Sequence, residues 1–441
     1  MKKFLPLIGV LFAACGQKTP EAVQDASMAH AAASPVAAHL DLDGFRVSLG
    51  DGRYLWEAVH PNMEIFAEIL IASLEPSTPQ DDQQQQRVIL RELPEILGLH
   101  EITAYGHSTR HRQPDGYFSR FVLQVPASAQ GLLWHLDGDA VDLPDRIRRL
   151  PAASSVVLHF STDLGPIIDN IDLLARATGA STEDLEASAE WFQENRESVQ
   201  IVTQALRRGA SVAITVNESQ TFQTLLPELE SIPLVEIAIL IPDPQGELTR
   251  LVAHGMSTGA PTPLQIRMMD GVQILSFPFP MIEDKGLKLA QFDGFMALTT
   301  TMELMQELLE RRQGDRDAPL LAQLDPAMPT RVQRAVISDG RLNALLNAFA
   351  HAIETMMKDA LPADQQVNLE VGVALVEQLF DPHPYSVVRS RKQDFHLSYQ
   401  VHQVPYLIPG GLNVEPKILF LFASAAFSAM DMMDFMDADF E

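Results

Sequence analysis

Four stretches of this chain bring together residue types that can do chemistry. Gly255-Met-Ser257-Thr-Gly259 has the G-x-S-x-G spacing of hydrolases, where a strained turn between strand and helix presents a nucleophilic serine. A strand is expected before it, over 248–254. Two prolines, Pro261 and Pro263, follow and favour a loop over the helix such an elbow requires. A serine hydrolase built on Ser257 is therefore the alternative reading rather than the favoured one. His107-Ser-Thr-Arg110-His111-Arg112 gathers two histidines and two arginines, a composition suited to an anion and unsuited to a cation. Asp137-Gly-Asp139-Ala-Val-Asp142 is rich in carboxylates, but lacks the glycine and distal glutamate spacing of a calcium loop. No metal is expected there.

The methionines form the fourth group. Of 17, 14 lie at or beyond Met256. Thioether side chains repack easily and suit an adaptable apolar surface. Met268, Met296, Met302 and Met305 are the candidates to line an apolar ligand pocket. Near the C-terminus Met430, Met432, Met433 and Met436 alternate with aspartates, but no His or Cys joins them as a soft-metal site would favour. There is no H-E-x-x-H, C-x-x-C, P-loop or G-x-G-x-x-G, so no cofactor is expected.

Cys15 is the one cysteine among 441 residues. It follows a Lys2-Lys3 start, an apolar run from Phe4 to Phe12, and Ala13-Ala14, the layout of a secretory signal with small residues before the cut. This resembles the lipobox of bacterial lipoproteins, with Phe12 where leucine is usual. The resemblance implies that the Cys15 thiol carries lipid (palmitate among its acyl chains) and holds the protein to a membrane. With Gly16 rather than aspartate next, it implies an outer-membrane anchor facing the periplasm. Each buried methylene adds about 0.8 kcal/mol, so two or more acyl chains anchor firmly. The apolar run 418–430 is too short to span a bilayer.

The elements that must position these residues follow from pattern. The formal net charge of −26 repels nucleic acid, which is excluded as a partner. Residues 1–15 read as the signal peptide and 16–38 as a flexible tether of Ala, Ser, Pro and Gln. Residues 39–150 read as an N-terminal α+β segment, with a strand near 45–49, helices over 55–74 and 87–97, and a hairpin of 101–108 and 117–125 around Pro114-Asp-Gly116. Residues 151–316 read as a central α+β domain. It has a strand at 155–160, two helices before Gly209, and a meander over 211–216, 234–241, 248–254, 263–268, 272–277 and 292–298. Residues 317–441 form a C-terminal α+β segment, with strands at 332–338, 385–388 and 395–401 and a helix face on Leu342, Leu345, Leu346, Phe349 and Ile353. The segments 154–175 and 331–350 share the order strand, turn, amphipathic helix, an echo of repeated strand-helix units.

The expected fold class is thus α+β: antiparallel β-meander sheets packed against long amphipathic helices. The run Leu150-Pro, Thr162-Asp163-Leu164, Gln130-Gly131-Leu132, LGLHEITAYG with PDGYFSRF, and Phe292-Asp-Gly294 resembles bacterial envelope proteins classed as domains of unknown function. That likeness covers most of residues 90–340 and implies no activity or site residues. The favoured function is a lipid-anchored, non-enzymatic envelope protein that binds an apolar ligand or a protein partner. A structural or assembly lipoprotein is a further alternative.

Overall fold

The computed structural model describes residues 35–44, 46–52, 95–112, 116–170, 191, 193–221, 233–259, 265–278, 286–358, 373 and 383–403. Cys15, the signal and most of the tether, the helix read over 55–74, most of that read over 87–97, and the acidic methionine tail lie outside the described residues.

The first half of the chain contributes β1 (Arg46–Asp51), β2 (Ala104–His111), β3 (Tyr117–Gln124), β4 (Val141–Asp142), α1 (Leu143–Arg148), β5 (Val156–Phe160), α2 (Gly165–Asp169) and α3 (Arg196–Arg207). Next come β6 (Ala210–Thr221), β7 (Pro233–Pro242), α4 (Glu247–Gly259), β8 (Gln265–Met269), β9 (Val272–Pro278), β10 (Gly286–Phe292) and β11 (Phe295–Thr299). The last part adds α5 (Met302–Glu310), β12 (Arg331–Val332), β13 (Arg334–Ser338), α6 (Arg341–Lys358), β14 (Tyr385–Lys392) and β15 (Phe395–His402).

Thirteen of these strands join in one antiparallel sheet, in the order β1-β2-β3-β15-β14-β13-β5-β6-β7-β11-β10-β9-β8. This corrects the expected fold class. Separate meander sheets against long helices are not found among the described residues. Among the described residues only α6, at 18 residues, exceeds 13. The physical reason lies in the strand edges. A short meander leaves two rows of unpaired backbone groups, and pairing β3 with β15, β5 with β13 and β7 with β11 removes them. All three segments read from the sequence contribute strands.

The order has a two-fold logic. β5 and β13 lie side by side at the centre, Leu158 opposite Val336. Each runs, through helical residues, into a hairpin on its outer side, β6–β7 or β14–β15. Beyond those hairpins lie β10–β11 on one side and β2–β3 on the other. A small pair, β4 with β12, sits off the main sheet.

Two local corrections matter for the site. Residues 248–254, read as a strand, belong to helix α4. Leu248, Leu251 and Val252 follow a helical i, i+3, i+4 spacing, and the Asp243 carboxylate accepts from the backbone N–H groups of Leu248 (3.2 Å) and Thr249 (2.8 Å). The single strand read at 292–298 is the hairpin of β10 and β11. Asp293 and Gly294 both take positive φ, as a tight two-residue turn requires.

Both faces of the sheet are covered. On one, α5 and the segment around Leu320 pack against a core that includes Met305, Leu308, Leu240, Ile274, Ile337 and Phe118. Thr301 caps α5 by accepting from the Leu304 N–H. That face continues over β1–β3 and β15, where Val36 and Leu40 pack on Val122 and Leu397. The packed chain therefore starts by Val36, within the last residues read as tether. The other face carries α3 and α4 over Leu289, Met296 and Phe277, and α6 through Leu342 over Leu158, Val336 and Ile214.

Candidate functional site

β2 alternates. His107, Thr109 and His111 share the face on which α3, α4 and α6 lie elsewhere, whereas Ser108 and Arg110 point the other way. β3 sets Ser119 directly opposite Thr109, and β15 brings His402 opposite the neighbouring Tyr117. The result is a continuous chain of side chains. His107 Nε2 lies 3.2 Å from Thr109 Oγ1, which lies 2.9 Å from Ser119 Oγ, itself 2.8 Å from His402 Nε2. The four residues are buried, with Ser119 5% and His402 4% exposed. The Tyr117 ring stacks on that of His402.

A hydroxyl donates one hydrogen and accepts others, so the chain has two polarities. In one, His107 donates to Thr109, Thr109 to Ser119, and Ser119 to His402. In the other every donor and acceptor is exchanged. Interconversion turns both hydroxyls and exchanges the tautomers of both imidazoles. Ser119 and His402 also have the spacing of a nucleophile and its base. Ser119 Oγ is buried, and its two partners here are Thr109 and His402 within an ordered run of polar side chains.

The arginines of the same sequence cluster do not face this chain. Arg110 bridges Asp41 (2.8 Å) and Asp325 (3.1 Å), and Arg112 reaches Asp325 and the carbonyls of Ala322 and Leu324. Internal carboxylates and carbonyls already occupy the groups read as anion-binding.

The acidic loop is likewise dispersed. Asp137 contacts His396 (3.5 Å) and Arg334 (3.8 Å). Burial works to raise its carboxyl, but the His396 hydrogen bond and the Arg334 charge outweigh burial and hold it below the ordinary range. Asp139 turns to Arg207, and Asp142 caps α1 by accepting from the Asp145 N–H. Among the described residues no group of three or more His, Cys, Asp or Glu converges as a metal ion requires.

Ser257 sits near the end of α4, exposed, its hydroxyl donating to the His254 carbonyl 2.8 Å away. No strand-to-helix elbow surrounds it, because the residues before it are helical. His159 belongs to the core. Its Nδ1 lies 3.0 Å from Ser211 Oγ, and burial, with a smaller contribution from Arg146, pushes the imidazole down to about 3.

The four candidate methionines are not brought together. Met296, on β11, faces α3 and α4. Met305 and Met302, on α5, lie against the opposite face. Met268 is on β8, 67% exposed. The expected pocket lined by all four does not form, because alternate residues of a strand face opposite sides of the sheet.

The end of the sheet at β8 is the other distinctive surface. Among the described residues β8 pairs only with β9, through the Asp270-Gly271 turn, and its residues 265–268 are all exposed. Ile266 and Met268 share one face, with Ile266 60% exposed. Sequence reasoning missed Ser119, His402 and Ile266. The polar side of each alternating run was the available signal for the first two, and for Ile266 the Asp270-Gly271 turn beside a short apolar run.

Comparison of the chain with known protein families, curated proteins and solved structures finds no match. Among the described residues no helix is long and apolar enough to cross a membrane.

Proposed function

We propose that this chain is a lipid-anchored, non-enzymatic protein of the bacterial cell envelope that holds a protein partner at the β8 edge of its sheet. The observation that carries this reading is the pair Ile266 and Met268. They are two large, exposed apolar side chains side by side on β8, a strand whose outer edge meets no other strand among the described residues. Exposed apolar side chains beside free backbone groups favour contact with another polypeptide. The lipid anchor is supported by the residues around Cys15, and the non-enzymatic role by the exposed helical setting of Ser257 and the burial of Ser119.

The test is made in the envelope of the host cell. Labelled palmitate is expected in the full chain and not in Cys15→Ser, which moves to the soluble fraction. A photo-crosslinking residue at position 268 is expected to give one dominant protein adduct, and the same residue at exposed position 257 none. Equal labelling at both positions, or none at either, would sink the partner reading. Unlabelled wild type would sink the anchor. Excess native mass lost on denaturation would point instead to a bound apolar ligand.

A further inference from the structure

The register of the β8–β9 hairpin fixes which backbone groups are open. Asp270 and Gly271 have φ of 49° and 80°, the two-residue turn in which the flanking residues, Met269 and Val272, exchange both hydrogen bonds. Hydrogen-bonded pairs then recur at every second residue, at Arg267 with Ile274 and Gln265 with Ser276. Ile266 and Met268 fall at the intervening positions. Their N–H and C=O groups therefore point away from β9, towards the side of β8 on which no strand lies among the described residues. The two residues with free backbone groups are the two with exposed apolar side chains. Arg267 between them projects from the opposite face and is also exposed.

We propose, building on the partner-binding reading, that β8 accepts an extended segment of another protein as a fourteenth strand. That segment carries apolar residues at i and i+2 flanking one acidic residue. The apolar pair lies beside Ile266 and Met268, the acid lies beside Arg267, and the main chain exchanges hydrogen bonds with residues 266 and 268. A second copy of this chain fits poorly. Antiparallel pairing of all five β8 residues would set Arg267 against its own symmetry mate, and like charges directly opposed destabilise a strand pair. The net charge of −26 adds long-range repulsion between copies. The same charge selects a partner that is not strongly acidic outside the docking segment.

A fluorescent peptide, Thr-Val-Glu-Val-Thr, titrated against the full chain in detergent reads this directly by anisotropy. Saturable binding is expected, weakened about fivefold when lysine replaces the glutamate. In Arg267→Glu the order of the two peptides reverses. In Met268→Pro binding is lost, since proline removes an outward N–H and an edge strand tolerates it there. Ile266→Ser, which leaves the backbone intact, weakens binding severalfold. Melting temperatures and circular dichroism establish that each variant is folded. No binding by folded wild type would overturn the proposal, as would undiminished binding by folded Met268→Pro. A wild-type dimer in sedimentation that Met268→Pro dissociates would overturn it too, in favour of self-pairing. If the peptide fails while position 268 still crosslinks a protein in cells, the specified segment is wrong and the partner reading survives. If the peptide binds and no crosslink forms, the edge chemistry stands and the partner reading falls.

Discussion

One face of the sheet changes character across its middle. On β7 and β9–β11 it presents Ile241, Phe277, Leu289, Met296 and Leu298 to the apolar sides of α3 and α4. On β2, β3 and β15 the same face presents His107, Thr109, Ser119, Gln400 and His402, also buried. The opposite face of those three strands sets the apolar Phe118, Val122 and Leu397 among Ser108 and Arg110. One half is held by area removed from water, which is non-directional and tolerant of shape. The other is held by partners that must each be present, because an unpaired buried polar group costs more than a made hydrogen bond returns.

The comparison breaks most clearly by truncation. Leu289→Ala on the apolar half is expected to lower the unfolding free energy by about 3 kcal/mol, and the volume-conserving Leu289→Met by less than about 1.5 kcal/mol, in urea titrations. On the polar half a near-isosteric change is expected to be as harmful as a truncation. Thr109→Val keeps the shape but removes the hydroxyl between His107 and Ser119, at about 2 kcal/mol. A cost for Thr109→Val no greater than that for Leu289→Met would erase the distinction.

Gly209→Ala tests the seam near His159. Gly209 has φ of 93°, and a Cβ there would lie 2.7 Å from the His159 ring, so a loss of about 2 kcal/mol is expected from thermal melts. His159 adds a pH dependence. Its folded-state value of about 3 lies below the ordinary 6.5, so the unfolded chain takes up this proton first as pH falls. Stability from this group is full above 6.5 and declines between 6.5 and 3, by about 1.4 kcal/mol per pH unit. His159→Gln is expected to flatten that part of the difference curve. Parallel wild-type and variant curves over the window would refute the assignment. The smallest effect belongs to Ser257→Ala, exposed on α4, expected within about 0.5 kcal/mol of wild type in the same melts.

Much of the local structure was legible. The β2–β3 hairpin, β5, β8, β9 and β15 fall close to where alternation and turn residues place them. The failures are instructive. The segment 248–254 reads as one strand of a meander, although its apolar spacing is helical and the Asp243 carboxylate accepts from the N–H groups of Leu248 and Thr249. Methionines grouped by proximity in sequence were separated by the sheet, since Met296 and Met305 belong to opposite faces. The histidine–hydroxyl chain was invisible for a different reason. Ser119 and His402 are 283 residues apart, and an alternating polar strand reads as solvent-facing.

By itself the sequence determined the periods and turns, because backbone sterics and side-chain alternation act over a few neighbouring residues. It also determined the charge. The tertiary structure alone decided that the segments share one sheet, that β15 inserts between β3 and β14, and that β8 is left at an edge. Strand partners are chosen by the need to satisfy every backbone hydrogen bond across long sequence separations, and no local pattern encodes that choice.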